Sequence, residues 1–307
     1  KAGAIESNLA EHVKIKRCKF ISCTVKSEKK NGGAINLINC GIVCESSDFT
    51  DCKSMTGGKG GGIYLTINSP ISEDSLINGC TFSGCTAYYG GGAYVYSNDK
   101  TRIVTFQKCI FTQNKVIDSD ARNEPSAGSA LYLMTAKSKI VKCKFSKNEG
   151  SSSVHIAYYF ENDEKENIKL KSNDEVKSII IDDCMFNIHP ESKSSISLVH
   201  KSDENAPIYL NNCVFNGKLS KNAHFIEGSI EYNEKIQNIY IHSCRFSSDT
   251  RNALHLYYSN STDELVSYVS INEGIKHKKS SRENIILFSL ITITAIFVIS
   301  IISALII

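Results

Sequence analysis

The sequence predicts an all-β repeat protein, a parallel β-helix of about eight coils. Three observations predict it. A Cys-x-Phe signature recurs at Cys18/Phe20, Cys80/Phe82, Cys109/Phe111, Cys143/Phe145, Cys184/Phe186, Cys213/Phe215 and Cys244/Phe246, with Ser47 in the Cys slot before Phe49. The residue three before that slot is apolar in every copy: Ile15, Cys44, Ile77, Phe106, Ile140, Ile181, Leu210 and Ile241. Small residues and then aliphatics follow the Phe, as in Gly90-Gly91-Gly92-Ala93-Tyr94-Val95.

Successive Phe residues lie 29, 33, 29, 34, 41, 29 and 31 positions apart, a short period with room for insertions. Cys and Phe are two apart, so they share one side of a strand. The apolar residue before them is out of phase. The polar pair between, such as Asn78-Gly79, Gln107-Lys108 or Asn211-Asn212, marks a tight bend joining two strands. Three after the Phe stand Cys23, Cys52, Cys85, Asn114 and Asn148. Gly32-Gly33 and Gly61-Gly62 then mark corners that need positive φ or close backbone approach. A unit of this size made of short strands buries its apolar face only by stacking on copies of itself. A propeller blade is longer, about 40–50 residues, and carries Trp-type signatures; this chain has no Trp. In a β-helix, like residues stack about 4.8 Å apart, which makes internal Phe and Cys ladders and a rod of about 40 Å.

The Gly32-Gly33-Ala34-Ile35 segment and the F-x-x-C/N tetrads ending at Cys23, Cys52, Cys85, Asn114 and Asn148 resemble the repeats of polymorphic outer-membrane proteins. Such repeats occur in chlamydial surface adhesins and in surface proteins of trichomonad parasites. The resemblance covers about Lys1 to Tyr258 and is densest up to Gly92, where 14 of the 19 glycines lie. It implies a right-handed coil displayed at a cell surface. The function it implies is adhesion or interaction without catalysis, toward a surface protein or glycan of a host or neighbouring cell.

The charge balance, 35 basic against 32 acidic residues, argues against a nucleic-acid partner. Twelve cysteines, mostly one per repeat at a core slot, read as free buried thiols acting as small hydrophobes. Cys18/Cys23, Cys40/Cys44 and Cys80/Cys85 are the pairing candidates if disulfides form. There is no C-x-x-C and the eight histidines are scattered, so neither a zinc site nor a cofactor is expected.

β-Helices also carry lyases and glycosidases, and a glycosidase needs paired carboxylates. Asp182-Asp183 is the pair to nominate, yet it fills the bend slots that hold Asn-Asn or Gln-Lys elsewhere. The single Arg-x-Lys, Arg17-Cys18-Lys19, lies in the first unit. No catalytic residue is therefore assigned. A carbohydrate-active enzyme stays open as an alternative, as does a structural surface-coat or intracellular membrane protein. Tyr88-Tyr89, Tyr158-Tyr159 and Tyr257-Tyr258 offer a binding stripe, although alternation along a strand places one of each pair in the core.

Three segments follow: repeats over 1–260, a linker over 261–284, and a transmembrane helix over 285–307. Ile285 to Ile307 is free of charge for 23 residues, about 35 Å as a helix and enough to span a bilayer core. The basic run Lys276 to Arg282 precedes it and argues for a cytoplasmic flank, whereas the resemblance argues for repeats outside. Asn260-Ser261-Thr262 is the one glycosylation sequon, and it fits an exterior location. Ile117 to Gly128 and the charge-rich Glu161 to Glu175 read as exposed loops and candidate binding loops. The chain begins at Lys1 within a partial repeat, Ala2-Gly3-Ala4-Ile5, which reads as a fragment or processed form.

Overall fold

One coil shows how these residues make the structure. Val104–Gln107, Ile110–Thr112 and Lys115–Val116 are three short strands. Each junction holds one residue in the left-handed region: Lys108 with φ 53° and Gln113 with φ 56°. Such a residue turns the chain and shifts the side-chain alternation by one. As a result Val104, Phe106, Cys109, Phe111, Asn114 and Val116 all face inward and are buried. This is the phase change visible in the sequence. The first corner recurs in eight coils, at Arg17, Ser46, Gly79, Lys108, Lys142, Asp183, Asn212 and Ser243, always with φ between 48° and 63°.

The computed structural model describes residues 3–26, 30–55, 57–68, 73–99, 101–117, 127–135, 137–159, 179–201, 207–230, 239–248, 253–258 and 269–272. These form a parallel β-solenoid. Their strands make two nine-stranded sheets, an eight-stranded sheet and a four-stranded sheet, each adding one strand per coil. The first sheet runs from Ile5–Asn8 to Leu254–Tyr258, the second from His12–Lys16 to Val269–Asn272. The third carries the Phe strands, from Lys19–Ile21 to Arg245–Phe246. The fourth holds only Thr24–Val25, Lys53–Ser54, Thr86–Ala87 and Lys115–Val116.

Pairing is parallel and in register, so Phe20, Phe49, Phe82, Phe111, Phe145, Phe186, Phe215 and Phe246 align position for position. Their rings stack inside the coil at 4.7 to 5.1 Å with interplanar angles of 3° to 11°. The apolar column before the bend, from Ile15 to Ile241, is buried as well.

Two slots show why particular residues are needed. Gly90 has φ 63°, and a Cβ on the next residue, Gly91, would fall 2.3 Å from the Ser129 carbonyl oxygen of the following coil. The slot three after Phe links coils by hydrogen bonds. Asn114 Nδ2 donates to the Phe82 carbonyl at 2.9 Å, and Asn148 Nδ2 to the Phe111 carbonyl at 3.0 Å. In earlier coils Cys52 and Cys85 donate from sulfur to the Phe20 and Phe49 carbonyls, each at 3.4 Å. Asn replaces Cys in this slot from the fourth coil because both reach the same acceptor.

The second half follows a shorter path. After Asn148 the chain forms no further fourth-sheet strand among the described residues. It enters eight-residue first-sheet strands directly, Ser152–Tyr159 and Ser194–Lys201. This is where the glycine corners fade from the sequence. Among the described residues no helix is long and apolar enough to cross a membrane. Ile285 to Ile307, Lys276 to Arg282, Asn260, Glu161 to Glu175 and most of Ile117 to Gly128 lie outside the described residues.

Asn114→Ala removes the donor to Phe82 and the Oδ1 acceptor of the Cys85 amide. Leaving two buried backbone groups unpaired is expected to lower stability by about 2–4 kcal/mol in chemical denaturation. Asn114→Cys restores the arrangement of the earlier coils and is expected to lose less. Equal losses for the two variants contradict the shared-slot account.

Candidate functional site on the outer faces

Alternate residues of the first sheet face outward, and register stacks them. Asn36, Tyr64, Tyr94, Tyr132 and His155 stand in one row across five coils. Tyr64 and Tyr94 stack at 5.4 Å, Tyr94 and Tyr132 at 4.9 Å, and the His155 ring lies 4.6 Å from Tyr132. Tyr94 is only 4% exposed although it points outward. Its two faces are covered by neighbouring rings. The Lys59 ammonium sits 4.7 Å from its ring centre and donates to its hydroxyl at 3.3 Å. Burial pushes the Tyr64 and Tyr94 phenols up, so both remain neutral donors. Beside the row runs a second outward column, Thr66, Tyr96 and Met134. Between them lies a groove of about 420 Å³ that Asn31, Asn68 and Ile38 also line. Phenol hydroxyls, amides and apolar edges together make a contact surface able to hold a ligand by shape and hydrogen bonds.

His155 ends the row. It is buried and hydrogen-bonded through Nδ1 to Ser197 Oγ at 3.2 Å, and burial lowers its pKa to about 4. The ring is therefore neutral near pH 7.

The tyrosine pairs require a correction. Neither Tyr88 nor Tyr89 is in the core; both are half-buried at a corner. Tyr89 joins the outer row, edge-on to Tyr132 at 5.6 Å. The residues sit next to a corner, where strict alternation does not hold. The side chains of Tyr158, Tyr159, Tyr257 and Tyr258 lie outside those described. The ladder of Tyr64, Tyr94 and Tyr132 went unread in the sequence, although a signal was present. Each Tyr is flanked by apolar residues just behind a glycine corner: Ile63-Tyr64-Leu65, Ala93-Tyr94-Val95, Leu131-Tyr132-Leu133.

All twelve cysteines are free, and ten are buried. The candidate pairs Cys18/Cys23, Cys40/Cys44 and Cys80/Cys85 are not bonded, because partners within a coil stand in different columns. Across coils, the sulfurs of Cys44 and Cys80 are 3.6 Å apart. The column serves the bend instead. Cys109 Sγ donates to the Ile77 carbonyl and Cys143 Sγ to the Phe106 carbonyl, on the preceding coil. Cys143 Sγ also accepts from the Cys109 amide at 3.4 Å. Ser47 makes the same contact to the Cys18 amide at 3.1 Å, which explains Ser in that slot. The neighbouring thiol on the preceding coil and then burial push the Cys143, Cys184, Cys213 and Cys244 thiols up.

Asp182 and Asp183 are bend residues. Asp182 Oδ1 accepts from Asn212 Nδ2 at 3.1 Å, and Asp183 is the corner residue with φ 51°. Arg17 occupies the same corner five coils away, about 24 Å at strand spacing. Among the described residues no group of three or more His, Cys, Asp or Glu is placed to hold a metal ion.

No family model matches the chain, and no curated protein or solved structure matches it.

Two outcomes follow for these side chains. In the native protein a maleimide is expected to label Cys18 and Cys23, with the other ten protected until denaturant is added; rapid labelling of Cys143 contradicts the stacked column. His155 takes up its proton more readily unfolded than folded, so its contribution is complete above pH 6.5. It is lost as pH falls toward 4, by about 3 kcal/mol at most. Urea midpoints across that range are expected to drop less for His155→Gln than for wild type, and identical slopes contradict the buried neutral ring.

Proposed function

We propose that the chain is a membrane-anchored surface protein. Its right-handed solenoid serves as an adhesion or interaction module without catalysis, in the manner of polymorphic outer-membrane-protein repeats. The observation that carries this reading is the outer face of the first sheet. There one side chain per coil recurs in register, with Tyr64, Tyr94 and Tyr132 in one row, and Tyr64 and Tyr94 border an open groove. A repeated row of this kind suits many weak contacts made together with another surface, and such contacts multiply through effective concentration. The partner is a protein or glycan of a host or neighbouring cell. Ile285 to Ile307 supplies the anchor in membrane lipid, and Asn260 is a glycan acceptor on the outside.

Trypsin added to intact cells is expected to clip lysine-containing loops of the repeat region. The chain lacking Ile285 to Ile307 is expected to leave carbonate-washed membranes and keep a β-rich circular dichroism spectrum. Full protection until the cells are permeabilised overturns the outward placement.

A further inference from the structure

Residues 137–147, KSKIVKCKFSK, carry five lysines in eleven positions. The solenoid spreads most of them around one corner. Lys142 is the bend residue between the second and third sheets, with φ 56°, and Lys108 fills the same bend one coil earlier, with φ 53°. Lys139 lies on the second sheet and Lys144 on the third, both in outward phase. Lys108, Lys142 and Lys144 are exposed. None of these four is in a salt bridge among the described residues, although Asp183 fills the same corner one coil after Lys142. Elsewhere the solenoid pairs opposite charges across coils, Lys16 with Glu45 at 2.8 Å and Lys115 with Glu149.

This arrangement works against stability twice. A side chain in the left-handed region costs about 1–2 kcal/mol, a strain that glycine avoids, and Gly79 fills this corner one coil before Lys108. Lys108 and Lys142 are also like charges at the same corner of adjacent coils, and they repel. Every coil needs a left-handed residue at this corner, but not a lysine, since Gly79, Asn212 and Ser243 hold the same φ in other coils. Lysine at two successive corners that glycine or asparagine can turn points to a role outside the fold.

We propose that Lys108, Lys139, Lys142 and Lys144 form a binding ridge for a linear polyanionic glycan, a sulfated or uronate-rich chain. The lysines lie on both flanks of a convex corner. A planar anionic bilayer meets only part of the set, while a flexible chain follows the bend. The choice of a glycan rests on the outward placement proposed above.

The test is binding of the full chain, in detergent, to immobilised heparin near physiological salt. K139E/K142E/K144E is expected to weaken binding at least about tenfold, and added salt to weaken it further by screening. K14E/K19E/K53E, the same charge change on the first two coils, is expected to bind nearly as wild type. Lys108→Gly guards against loss through unfolding: it is expected to weaken binding while raising the denaturation midpoint. The proposal is overturned by absent wild-type binding, by equal loss in both triple variants, or by capture on phosphatidylserine vesicles in place of heparin. Ridge-specific heparin binding in a protein whose repeats prove cytoplasmic supports the site and overturns only the outward placement.

Discussion

A parallel strand stacked in register sets each side chain against the residue at the same position of the next coil. In this solenoid that constraint selects residues able to pack on their own kind at one strand spacing. Phe does so by offset stacking, and the Phe20 to Phe246 column holds rings parallel within 11°. Cys and Asn do so by closing hydrogen bonds to the coil before, so the bends leave few backbone groups unpaired. Strand, bend and core are thereby one pattern, repeated. Stability then accumulates largely from nearest-neighbour contacts between coils.

The periodic parts were legible in the sequence because inward residues obey the stacking constraint. The Phe column, the apolar column from Ile15 to Ile241 and the F-x-x-C/N slot all follow from it. Corners were legible where glycine fills them, as at Gly79 and Gly90. At Gln107-Lys108 the bend was legible from the polar pair, but the left-handed φ of Arg17, Lys108 and Lys142 was not, since lysine and arginine carry no signature for that region. The exchange of Cys for Asn became intelligible only when both were seen to meet the Phe carbonyl. The outer tyrosine row was obscured because Tyr64, Tyr94 and Tyr132 are spaced 30 and 38 residues apart, with insertions between. The lysine ridge was harder to read, as it joins residues on different sheets and coils.

The outer faces obey looser rules than the core. Opposite charges stack in places, rings in others, and at one corner Lys108 and Lys142 stand on adjacent coils. Core columns are explained by stability alone. Departures from that economy on the outside are where a binding role is argued, and the tyrosine groove and the lysine ridge are two such places on separate faces. A scaffold of this kind permits the faces to vary while the inner ladders stay fixed.

The central claim is nearest-neighbour stacking of coils through the Phe column. Double-mutant cycles measured by chemical denaturation test it most directly. Phe111→Leu with Phe145→Leu is predicted to show a coupling of about 0.5–1.5 kcal/mol. Phe49→Leu with Phe215→Leu, five coils apart, is predicted to be additive within about 0.5 kcal/mol. Additivity at Phe111 and Phe145, or equal coupling at both pairs, would contradict the stacked solenoid.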